Sequence, residues 1–116
     1  MLRASGGDIT DDIINAFKSG NAATIAKYFN ATIELTLHNK EDIYSKTQAE
    51  RILKDFFSQH PPSKFTLLHQ GGKESSKYAI GNLTAGNKNY RITFLLKSMN
   101  NKVFIHQLRI EDTNVE

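Results

Sequence analysis

The chain has 116 residues and a formal charge of +3, with fifteen Lys and Arg against twelve Asp and Glu. This length suits one domain, able to bury roughly two-thirds of its unfolded surface without covalent staples. With no cysteine, it excludes disulfide frameworks, thiolate zinc sites and cysteine nucleophiles, and 39% hydrophobic residues exclude wholesale disorder.

Residues 1–7 read as a flexible leader or processing remnant, because they lack the apolar h-region of a signal peptide. A single domain is expected over 8–112, followed by a tail at 113–116. The first helix is predicted from about Ile9 to Ser19, capped by Asp8 or Thr10. Ile9, Ile13, Ala16 and Phe17 share its apolar face. Gly20 suits the left-handed residue after that helix. Asn21 caps a second, short helix to about Phe29. Alternation of Ile33, Leu35 and Leu37 with Glu34, Thr36 and His38 marks a half-buried strand. Ser45 and Gln48 form a capping box opening a third helix, whose stripe is Ala49, Ile52, Leu53, Phe56 and Phe57 and whose end is Pro61-Pro62.

Four strands follow, at about 64–70, 77–85, 89–97 and 102–111, separated by Gly-, Asn- and Ser-rich turns. The fold class is therefore α+β: a curved antiparallel sheet with three helices from the N-terminal half on one face. Pairing Thr84 with Tyr90 and Lys97 with Val103 sorts the last three strands. It places Tyr78, Ile80, Asn82, Tyr90, Phe94, Phe104, His106 and Leu108 toward the helices. Leu83, Leu95, Val103, Ile105, Arg91, Gln107 and Arg109 then share the outer face.

Ala16-Phe17-Lys18-Ser19-Gly20, Tyr44-Ser45-Lys46-Thr47-Gln48-Ala49-Glu50, Leu53-Lys54-Asp55-Phe56-Phe57, Leu68-His69-Gln70-Gly71, Tyr78-Ala79-Ile80-Gly81 and Gln107-Leu108-Arg109-Ile110-Glu111 carry a resemblance. Together with the order of elements they resemble a small uncharacterised bacterial family in the nuclear transport factor 2-like, or cystatin-like, superfamily. The resemblance spans about Asp8 to Glu111. It implies a cone-shaped fold with the helices on the concave face of the sheet. It also implies a periplasmic or secreted location. It transfers no catalytic residue.

Enzymes of such cones place carboxylates or histidines in a pocket between sheet and helices. Here only Glu34 and Glu111 of the acidic residues fall within the predicted strands, and neither points inward, so no acid/base constellation is legible. The pocket candidates are His106, Tyr78, Tyr90, Asn82 and Tyr44, set to receive a small hydrophobic or anionic ligand. The bland reading of His106 is a core imidazole bonded to a tyrosine or a carbonyl. The four histidines lack metal-ligand spacing, and no metal or cofactor is expected. Residues 61–110 carry eight basic side chains and one acidic. Most of these cations sit at hairpin turns and do not form a nucleic-acid surface. No stretch approaches the ~20 apolar residues of a membrane span.

Leu83, Leu95, Val103 and Ile105 would form an apolar patch on the outer face, bordered by Arg91, Gln107 and Arg109. That patch points to a homodimer through the sheet. The expected function is a non-enzymatic ligand-binding or protein-interaction module. The alternative is an isomerase- or dehydratase-type enzyme using His106 with Tyr78 or Tyr90.

Overall fold

The computed structural model describes residues 6–113, and their side chains from Ile9 onward. The expected leader and tail fall mostly outside this range. The described exceptions are Gly6 and Gly7, which already belong to the first helix, and Thr113.

Helix α1 spans Gly6–Ser19, so it begins before the predicted caps and Thr10 lies inside it, buried. Ile13, Ala16 and Phe17 fall on one side and are all buried, as the helical spacing requires. The helix ends at Gly20, whose φ of 70° suits a residue without Cβ. Helix α2 covers only Ala22–Ala26, with the Asn21 side chain accepting from the Thr24 amide. Phe29, expected at the end of this helix, instead starts strand β1, Phe29–Leu37. A short strand β2, Lys40–Ser45, was not legible in the sequence. It turns back through His38 and Asn39, both at positive φ. Helix α3, Lys46–Gln59, opens with the predicted capping box: Ser45 Oγ accepts from the Gln48 amide and Gln48 Oε1 accepts from the Ser45 amide.

Strands β3 (Lys64–Lys73), β4 (Ser76–Ala85), β5 (Lys88–Met99) and β6 (Lys102–Asp112) complete one sheet in the order β2-β1-β6-β5-β4-β3. The α+β class is as expected, with the helices in the N-terminal half. The sheet is antiparallel throughout except where β1 runs parallel to β6. That contact brings the first strand into the middle of the sheet.

The predicted register is wrong in a way that moves candidate residues. Gly86-Asn87 is a two-residue turn, so Leu83, not Thr84, pairs with Tyr90. In an antiparallel pair a shift of one residue exchanges the faces of a whole strand. Ala79, Gly81, Leu83 and Ala85 therefore face the helices and are buried, while Tyr78, Ile80, Asn82 and Thr84 turn outward and are half-buried. Asn100-Asn101 is likewise a two-residue turn with both φ positive, so Lys97 pairs with Phe104. A β-bulge between Leu95 and Leu96 then inserts His106 as an extra residue on β6. The bulge restores the expected phase for Leu108 and Ile110, which are buried. On the turn side of the bulge, Ile105 is fully buried and Val103 packs against the core.

Candidate functional site

The space between helices and sheet is filled by rings. The Phe17 ring is buried, with Phe65 stacked at 5.8 Å between centroids and Phe94 at 6.1 Å, and Phe57 edge-on at 6.0 Å. Phe56 meets Tyr90 edge-on at 5.0 Å. Tyr90 is buried, and its hydroxyl sits 3.2 Å from Nδ1 of His60. Burial, with Lys88 and His38 nearby, holds the His60 imidazole below its usual pKa, and burial raises that of Tyr90. Gly81 lies directly under the Phe65 ring, so that position admits no side chain. The cluster is dry and aromatic, as befits a core.

Of the pocket candidates, only Tyr90 is inside, and its contacts are structural. Tyr44 lies on β2 against α3, half-buried. Tyr78, Asn82 and His106 stand on the opposite, uncovered face of the sheet. They do not converge: Tyr78 hydroxyl bonds His69 Nε2 at 2.7 Å, Asn82 donates to Asn89 Oδ1 at 3.1 Å, and His106 Nε2 has no hydrogen-bond partner. Burial and the Lys97 ammonium push the His106 pKa down. The interface candidates divide. Leu95, Arg91, Gln107 and Arg109 are on the open face as expected. Leu83 and Ile105 are buried in the core and Val103 packs against it, because the turn parity reversed their strands.

The open face is ordered in rows across the sheet. Ile43, Glu34, Gln107, Leu95 and Tyr78 form one row, and Glu41, Thr36, Arg109, Thr93, Ile80 and His69 the next. Gln107 donates to Glu34 at 2.7 Å, Thr36 to Glu41 at 3.3 Å, and Arg109 pairs with Glu111 at 3.1 Å. These bonds fix long side chains flat on the sheet, and Ile43, Leu95 and Ile80 share the same two rows. Arg109 Nε, like His106 Nε2, lacks a partner. A cleft of about 330 Å³ at the mouth of the cone is lined by Thr10 of α1 with Gln70, Lys77 and Leu96, and by Tyr78, one of the pocket candidates. A neighbouring cleft of about 240 Å³ shares Lys77 and Leu96 with it. Among the described residues, no cluster of His, Asp and Glu is arranged to hold a metal ion, and no helix is long and apolar enough to cross a membrane.

The family profile "Domain of unknown function (DUF4783)" matches residues 10–111. The chain belongs to the DUF4783 family. It is similar to a DUF4783 family protein from Bacteroides uniformis, with 36% identity, a TM-score of 0.85, and coverage of 89% of this chain and 95% of that one. A DUF4783 family protein from Bacteroides ovatus has 32% identity and a TM-score of 0.85, covering 90% and 94%. An NTF2-like protein of unknown function from Cytophaga hutchinsonii has a TM-score of 0.67 at 10% identity, covering 96% and 92%, and shows likeness of fold alone. No functionally curated protein matches. The resemblance to an uncharacterised bacterial family with the nuclear transport factor 2-like fold is thus correct.

Two features of this chain were not legible in its sequence. The His69–Tyr78 pair was missed because a bulge after Leu67 rotates His69 to face Ile80 on the open side. Strand β2 was missed because Lys40, Glu41 and Asp42 interrupt any apolar alternation. Asn39, a residue type that tolerates the positive φ it adopts here, was the available signal.

Proposed function

We propose that this DUF4783 protein is a non-enzymatic interaction module that pairs with a second copy through the open face of its sheet. The observation that carries this reading is the division of labour between the two faces: the interior is filled by Phe17, Phe57, Phe65 and Phe94, whereas among the described residues no element covers the other side. Catalysis of the kind other cones perform needs an open interior with convergent polar groups. Here His106 and Tyr90 lie on opposite faces.

Size and charge support self-pairing. Five adjoining strands at about 4.8 Å spacing, each about ten residues long at about 3.3 Å per residue, make a face of roughly 800 Å². A standard stable interface buries about that much on each partner. Glu34 and Glu41 stand at the β1–β2 side, while Arg91 and Lys97 stand on β5, toward the β3 side. A two-fold axis through the face sets each acidic margin against the partner's cations. Leu95 lies on β5 between Arg91 and Lys97, and Ile80 lies on the next strand, β4.

Sedimentation velocity tests the proposal. The parent chain sediments as a dimer. Leu95→Arg, which places a cation at the centre of the face, sediments as a folded monomer with unchanged circular dichroism. A parent that is monomeric at high protein concentration rejects self-pairing.

A further inference from the structure

A second surface lies away from the open face. On the helix-bearing side, two adjoining clefts of about 260 and 300 Å³ open where the β1–β2 hairpin meets α3, and they share Tyr44 and Ile52. Their floor is apolar: Leu35 is buried, and Leu37, Tyr44 and Ile52 are half-buried against the core. Their rim is cationic. Arg51 borders one cleft and Lys40 the other, both exposed.

Neither cation is engaged. Among the described residues, no ion pair or hydrogen bond involves the side chain of Arg51 or Lys40. Each carboxylate of β2 has a hydrogen-bond partner other than these cations. Glu41 accepts from Thr36 on the open face, and Asp42 accepts from the Ile43 amide at 2.8 Å. The capping box already pairs the Ser45 and Gln48 amides, so an anion in the groove meets side chains. An apolar trough with an unpaired cation on the rim of each of its two clefts has a definite chemical complement. Its occupant carries one negative head and an unbranched apolar body short enough for the trough.

We propose that the groove between α3 and the β1–β2 hairpin binds a small anionic amphiphile. The apolar body lies on Tyr44, Ile52 and Leu37, and the head group pairs with Arg51, while Lys40 on the adjoining cleft adds to the positive field. This site is independent of the dimer proposed above, since it uses the other side of the sheet.

Sodium decanoate, below its micelle concentration, is the probe, followed by amide chemical shifts in the full chain. Saturable shifts centred on Tyr44, Ile52 and Arg51 are expected. The double variant Arg51→Gln, Lys40→Gln changes two exposed side chains and leaves the fold intact. It weakens binding at least tenfold. Decanol binds the parent as weakly as decanoate binds that variant, and raised salt weakens decanoate alone. Three results overturn the proposal: no saturable shifts, shifts confined to the open face or cone mouth, or equal decanoate binding by parent and double variant. Leu95→Arg separates the two readings, because a monomeric variant still binds decanoate in this groove.

Discussion

Phe17→Ala tests whether the interior of the cone is a solid core. Phe17 is fully buried, and three other rings lie within 6.1 Å of it, centroid to centroid. Truncating a buried Phe to Ala costs about 3–5 kcal/mol. A ring wedged among Phe57, Phe65 and Phe94, on α3, β3 and β5, belongs in the upper half of that range, because those rigid elements limit collapse. At about 4 °C per kcal/mol for a domain of this size, the melting temperature falls by roughly 15–20 °C. Urea unfolding, followed by circular dichroism, reads the change as a lower midpoint at constant slope. The lost ring also leaves a dry apolar hole, and cavities of about 150 Å³ with such walls take up benzene. Benzene therefore raises the melting temperature of Phe17→Ala and leaves that of the parent unchanged. A loss below about 1 kcal/mol, or equal stabilisation of the parent by benzene, refutes the filled-interior argument.

Gly81→Ala is expected to destabilise by about 1–3 kcal/mol, since its Cβ overlaps the Phe65 ring and approaches the Thr66 carbonyl; urea unfolding measures it. At alkaline pH, Tyr28 governs a second effect. Its hydroxyl donates to Asp12 at 2.5 Å, and this bond, aided by burial and the Asp12 charge, pushes its pKa up to about 12. The unfolded chain ionises this group near pH 10, so its stabilisation is complete below pH 10 and fades between about 10 and 12. Tyr28→Phe flattens the stability profile in that window, as read by melting at stepped pH. On the acid side, His60 and His106 both sit below the usual histidine pKa, chiefly through burial. The unfolded chain takes up those protons first, so their contribution is present above about pH 6.5 and is lost as pH falls through the folded-state values. His106→Gln makes the acid limb shallower, and an unchanged limb contradicts the burial of that imidazole.

Local chemistry determined a large part of this fold. The spacing of Ile13, Ala16 and Phe17, the Ser45/Gln48 box and the alternation in β1 each depend on residues a few positions apart, and each element formed where those signals lie. The resemblance carried by the short motifs also led to the right family. Faces were harder to read, because they depend on parity. Whether a turn holds two residues or three changes local composition little, yet it turns Tyr78 and Asn82 outward and Leu83 inward.

The candidate site was legible only in pieces for the same reason. Leu95, Arg91, Gln107 and Arg109 were assigned to the right face because β5 and the far end of β6 kept the expected phase. Val103, Ile105 and His106 were not, because a two-residue turn and a one-residue bulge act in succession there. The groove at Tyr44 and Ile52 involves three elements, and one of them, β2, carries no apolar alternation.

The sequence by itself determined the element types, the aromatic composition of the core and the family, since those follow from nearby residues. Tertiary structure alone decided that β1 joins β6 in parallel, that four phenylalanine rings meet in the cone, and which side of the sheet is left uncovered. Those outcomes rest on contacts between residues tens of positions apart, where one residue of register decides which side chains meet the core and which meet a partner.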